Sequence, residues 1–136
     1  MIFPNVSVVV RRRMARIRKA DTKPEIVVRR LSHRLGYRFR LHRRDLPGTP
    51  DLVFPSKRKV IFVHGCFWHQ HNCQLGGRRP QTRQEYWGPK LDRNVARDKG
   101  VREELARLGW GVLVIWECET RDLPALATRL TGFLDS

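Results

Sequence analysis

Residues 46–63 read LPGTPDLVFPSKRKVIFV, two apolar runs joined by a short basic turn. LPGTP delivers the chain into Asp51-Leu-Val-Phe54, and Pro55-Ser-Lys-Arg58 returns it into Val60-Ile-Phe-Val63. That pattern predicts two antiparallel strands. Just upstream, Tyr37, Phe39 and Leu41 alternate with Arg38, Arg40 and His42, the period of a half-buried strand. The three segments make a meander. Trp110–Trp116 is a continuous apolar run, as expected of a strand buried on both faces.

Helical patterns surround these strands. From about Lys23 to Leu35, Thr22 serves as cap, Glu25 as its capping-box partner and Gly36 as the stop. Val27, Val28, Leu31 and Leu35 form the apolar face, with Arg29, Arg30 and Arg34 outside. A second helix is expected over Asp92–Leu108 through Val95, Val101, Leu105 and Leu108, and a third over Leu123–Leu134. Residues 64–90 read as irregular, with Gly76, Gly77, Pro80 and Pro89, and residues 1–13 carry no clear pattern. The order α-β-β-β-α-β-α predicts an α/β (α+β) fold, a central mixed sheet flanked by helices. Its 136 residues suit a single domain over 1–136.

A net charge of +15 sits on a chain that is 40% hydrophobic, too apolar for disorder. Residues 1–44 hold 14 Lys or Arg against Asp21 and Glu25, and so carry 12 of those 15 charges. Of the 28 basic residues 22 are Arg, whose planar fork suits phosphate. A basic lobe on a folded body is the footprint of a nucleic-acid binder, and residues 1–22 are the expected DNA-gripping segment. No run approaches the ~20 apolar residues of a membrane span. The start runs from a short apolar patch into Arg11, Arg12 and Arg13, unlike a signal peptide, so a soluble cytoplasmic protein is expected.

The chemistry concentrates in Val63-His-Gly-Cys-Phe-Trp-His-Gln-His-Asn-Cys73. Cys66, His71 and Cys73, completed by Cys118 just beyond the apolar run, form the donor set that tetrahedral zinc takes. Four protein ligands close such a site, so this zinc is structural. His64 and His69 remain. Asp51, opening one strand beside His64 at the end of the next, is a seat for a hard cation such as magnesium, with an imidazole to take a proton. Phe67 and Trp68, in a polar loop, are candidates to wedge between bases, as are Tyr86 and Trp87.

The stretches RMARIRKADTKPE (13–25), LPGTPDLVF (46–54), VIFVHGCFWHQHNC (60–73), EYWGPKLDRNVARD (85–98) and LGWGVLVIWEC (108–118) together resemble the very-short-patch-repair (Vsr) DNA mismatch endonucleases. The resemblance implies a restriction-endonuclease-like fold with a structural zinc, and nicking 5′ to the thymine of a T:G mismatch left by deaminated 5-methylcytosine. It implies that Asp51 and the Val63 carbonyl hold catalytic magnesium, that His69 is the general base, and that His64 and Glu25 support phosphate, water or metal. Its zinc ligands are Cys66, His71, Cys73 and Cys118. Phe67, Trp68 and Trp87 then intercalate from the major groove, Met14 and Ile17 approach from the minor groove, and Lys90 and Asn94 meet the mismatched pair. Val63 stands where the family shows Thr, a change that a backbone ligand survives. Phe62-Val-His64 replaces the Asp/Glu-x-Lys of ordinary restriction nucleases.

Two other readings use the same residues: a Vsr-like restriction endonuclease cutting unmodified or differently modified DNA, and a non-catalytic zinc-stabilised DNA-binding module. Asp51, His64 and His69 argue against the last, which has no use for them. The expected partners are duplex DNA bearing a T:G mismatch and downstream repair proteins. The expected state is a monomer in the cytoplasm, associated with the nucleoid.

Overall fold

The computed structural model describes residues 22–66 and 84–136, and of residues 84–87 the backbone alone. Helix α1 spans Lys23–Arg34. Thr22 Oγ1 accepts the Glu25 N–H at 3.4 Å, and Gly36, at φ 93°, follows the helix as expected. Strands β1 (Arg40–Leu41), β2 (Leu52–Phe54) and β3 (Lys59–His64) form the antiparallel meander. Helix α2 (Gln84–Arg107) then carries the chain to β4 (Gly111–Trp116), which pairs parallel with β3 from Lys59↔Gly111 to His64↔Trp116. Helix α3 spans Leu123–Leu134. The described sheet runs β1-β2-β3-β4, mixed as predicted.

Strand alternation builds two cores. Leu52, Phe54, Ile61 and Ile115 pack on Val28 and Leu31 of α1 and on Leu126, Leu130 and Leu134 of α3. Val53, Val60, Phe62 and Val114 pack on Leu105 of α2. Helices therefore cover both sheet faces, and β2 and β3 are buried on both. Among the described residues, no helix is long and apolar enough to cross a membrane.

Four expectations change. The strand expected from Tyr37 shrinks to Arg40–Leu41, with Leu41 42% exposed. Tyr37 and Phe39 instead pack edge-on against Phe54, filling the core from outside the ladder. Helix α2 begins at Gln84 rather than Asp92 and runs through Pro89. One proline removes one hydrogen bond, a cost of ~3 kcal/mol that a long packed helix absorbs. Its buried residues are Leu91 and Leu105, while Val95 and Leu108 are exposed, because the covered stripe passes through half-buried Asn94 and Asp98. Finally, β4 lies at an edge of the described sheet, so only Val114 and Ile115 are buried. Trp110 and Trp116, expected in the core, are half-buried, and the Arg58 guanidinium sits 4.9 Å from the Trp110 ring.

The LPGTP turn is wedged against α2. Gly48 has φ 74°, and a Cβ there would lie 2.5 Å from Val101 Cγ1. Only glycine fits both demands. This close approach fixes the entry to Asp51.

Candidate active site

Three acid–base side chains from three elements converge at one end of the meander. Glu25 points from the first turn of α1 and is 1% exposed. Asp51 stands immediately before β2, and His42 immediately after β1. His42 Nε2 lies 3.2 Å from both Glu25 carboxylate oxygens and 3.9 Å from Asp51 Oδ1. One donor atom from each residue falls within 4.8 Å of the others. The Glu25 carboxylate also accepts from Arg29 Nη2, one helical turn on.

His42 is held there by an unusual backbone. Its φ is 49°, in the left-handed region that few residues other than glycine adopt, and its N–H donates to the Asp51 carbonyl at 3.3 Å. Asp51 is fixed from the other side: the Val63 N–H donates to its Oδ2 at 2.6 Å. In an extended strand the N–H and C=O of one residue point to the same side, so the Val63 carbonyl is on the Asp51 edge of β3.

The electrostatics fit a cation. Burial, then the hydrogen bond and charge of Glu25, push Asp51 up to about 8, against a partial offset from the Val63 N–H and the Arg29 charge. Two carboxyls this close cannot both ionise cheaply unless a proton or a cation sits with them. Two carboxylates and a backbone carbonyl are the oxygen donors that magnesium takes.

His64, at the end of β3, is buried with its ring edge-on to Trp116 at 5.3 Å and tilted on Phe62 at 5.7 Å. Cys66 and Cys118 each lie two residues beyond the last β3–β4 rung, His64↔Trp116, and so occupy the same end of the sheet. The Cys66 N–H donates to Glu117 Oε1 at 3.3 Å, tying the two segments together. Lys90 and Asn94 lie half-buried on α2, where Asn94 Oδ1 accepts from Arg97 Nη2 at 2.6 Å. Met14, Ile17, Phe67, Trp68, His69, His71, Cys73 and the Trp87 side chain lie outside the described residues.

A shallow, open cleft beside the cluster is lined by Arg29, Arg30, His33, Arg34 and Phe39, which give it a basic surface of the kind that meets phosphate. The family described as DNA mismatch endonuclease Vsr matches residues 9–75. The type II nicking enzyme V.XorIIP of Xanthomonas oryzae is 56% identical over 122 residues, 90% of this chain and 89% of that protein. The DNA mismatch endonuclease Vsr of Escherichia coli is 43% identical over 112 residues, 80% of this chain and 71% of that protein. The type II nicking enzyme V.NmeAIP of Neisseria meningitidis is 36% identical over 117 residues, 86% of this chain and 83% of that protein. The chain belongs to the Vsr family.

It is therefore an endonuclease acting on DNA. In this Vsr endonuclease, the structure brings together Glu25, Asp51 and Val63 of the expected residues and adds two that sequence reasoning missed, His42 and Arg29. Arg29 is four residues after Glu25, a spacing that pairs side chains on a helix and was readable. His42 has no comparable signal: it ends an alternating run in which it reads as a solvent-facing position. The Thr22 hydroxyl caps α1 as expected, while the Glu25 side chain turns to Arg29 and His42.

Proposed function

We propose that this Vsr endonuclease nicks one DNA strand 5′ to the thymine of a T:G mismatch in a magnesium-dependent reaction, as one restriction-endonuclease-like domain. The observation that carries the reading is the convergence of buried Glu25, Asp51 and the Asp51-facing edge of Val63 beside a basic cleft. In this reading Asp51 and the Val63 carbonyl hold the cation, which when bound offsets phosphate charge and eases ionisation of water. His69 takes the proton from the attacking water, and His64 and Glu25 orient water or phosphate. Zinc on Cys66, His71, Cys73 and Cys118 pins the loop after β3 to the end of β4, a role supported by the common position of Cys66 and Cys118.

Mismatch choice is assigned to the wedge residues Phe67, Trp68 and Trp87, with Met14 and Ile17 opposite and Lys90 and Asn94 at the pair. A wobble pair is held less well, so inserting a wedge costs less there than at a matched pair. The N-terminal segment, residues 1–22, grips phosphates. The protein acts as a monomer in the cytoplasm at the nucleoid, ahead of downstream repair proteins.

Two relatives are named type II nicking enzymes, which favours a second reading in which the same chemistry serves a Vsr-like restriction endonuclease that cuts unmodified or differently modified DNA. One experiment separates them. Duplexes of identical sequence, carrying a T:G pair, a matched pair or a methylated matched pair, are incubated with protein and magnesium. Nicking only of the T:G duplex supports the first reading; cleavage of matched duplexes overturns it.

A further inference from the structure

Nothing in the chemistry above uses His42. We propose that His42 is a third ligand of the divalent cation, through Nε2, and that the site consequently favours manganese-like ions over magnesium. The inference rests on the reading of Asp51 as a cation ligand and adds to it a donor of different character.

Three observations carry it. The first is spacing: two donors each ~2.1 Å from one ion lie roughly 3–4.2 Å apart, and His42 Nε2 is 3.9 Å from Asp51 Oδ1. The second is orientation. The left-handed backbone at residue 42 turns the ring off the strand and onto the two carboxylates, and the Asp51 carbonyl holds it there. A solvent-facing strand histidine would make the same backbone bond, the next rung of the β1–β2 ladder, but has no need of the left-handed angle. The third is donor chemistry. Oxygen-only sites suit magnesium, which keeps much of its water, whereas an imidazole nitrogen adds affinity for first-row transition ions. An alternative role for His42, as a charge partner of Glu25 alongside Arg29, predicts no bond from its nitrogen to a metal.

The test uses manganese, which thiolate sites take poorly, so zinc-loaded full-length protein is suitable. Titrations with Mn2+ and with Mg2+ give the two affinities, and pulsed electron paramagnetic resonance of bound Mn2+ reports any directly bonded nitrogen. The expected results are Mn2+ affinity at least ~10-fold above Mg2+ and a nitrogen coupling. Selective 15N labelling of histidine should change that coupling. His42→Gln should weaken Mn2+ by ~10-fold or more while leaving Mg2+ within about twofold, and should abolish the coupling. A wild-type spectrum without histidine nitrogen overturns the inference, and does so even if the variant fails to fold. A coupling that persists in His42→Gln also overturns it. Asp51→Asn separates the underlying reading: loss of both metals sustains Asp51 as ligand whatever His42 does, and unchanged binding of both removes the site itself.

Discussion

The Val63 N–H and Asp51 Oδ2, 2.6 Å apart, clamp the end of β3 onto the residue that opens β2. Asparagine at residue 51 can keep an oxygen facing that N–H while losing the charge. Asp51→Asn should therefore leave folding and DNA affinity intact and lower nicking at least ~100-fold, the scale of losing several kcal/mol of charge stabilisation. Nicking assays with parallel binding measurements on one T:G duplex check this. Full activity in the variant would remove Asp51 from the reaction.

Because burial and Glu25 raise Asp51 from 3.8 to about 8, the folded chain without cation holds a proton that the unfolded chain releases across that interval. The unfolded state binds fewer protons there, so stability without magnesium should fall as pH rises from about 4 to about 8. Metal uptake must displace the same proton, and affinity should climb with pH until about 8 and then level. Thermal unfolding of zinc-loaded protein without added magnesium, and magnesium titrations, both from pH 5 to 9, measure the two slopes. Asp51→Asn should flatten both.

Gly48→Ala places a methyl 2.5 Å from Val101 Cγ1 at a positive φ. Strain and overpacking together should cost ~1–3 kcal/mol. Chemical denaturation should show the loss, and nicking should fall with it because the same turn leads into Asp51.

Arg30 and Arg34 line the cleft and carry no bond to the Glu25 group among the contacts described. Replacing both with Ala should weaken binding to matched and mismatched duplexes alike and reduce the salt slope by about 2. A change confined to mismatched DNA would give them a different role.

Cys118→Ala should strip one zinc ligand from the end of β4. Structural zinc contributes ~10–16 kcal/mol in small sites, so the variant should be poorly soluble and hold less than one equivalent of zinc. A soluble variant with full zinc content would exclude Cys118 as a ligand.

The meander and α1 are legible because local signals agree. Thr22 and Gly36 bracket α1, and the turns at residues 46–50 and 55–58 separate runs of the right length for strands. Misreadings arise where a local signal is outweighed by packing. Gly88-Pro89 looks like a break, yet α2 continues through it, with Leu91 fully buried just beyond the proline and Leu105 packed on the sheet. In the site, Glu25 and Asp51 are nameable from motif, and their convergence is not, since it depends on how α1 crosses the sheet end. His42 is least legible of all: its reach follows from one backbone angle that no side-chain pattern encodes.

The converging group draws only on residues 25–63, within α1 and the meander, whereas β4 reaches β3 by a crossover through α2. Short-range pairings close with little loop entropy, and the long crossover closes late. During synthesis Glu25 and Asp51 can thus meet before the strand that braces β3 has emerged. In refolding followed by pulsed amide exchange, the Leu52↔Ile61 ladder should gain protection ahead of the Ile61↔Leu113 ladder. The nascent nuclease would then assemble its charged centre first and lock it last, leaving an interval in which β3 still offers an open edge.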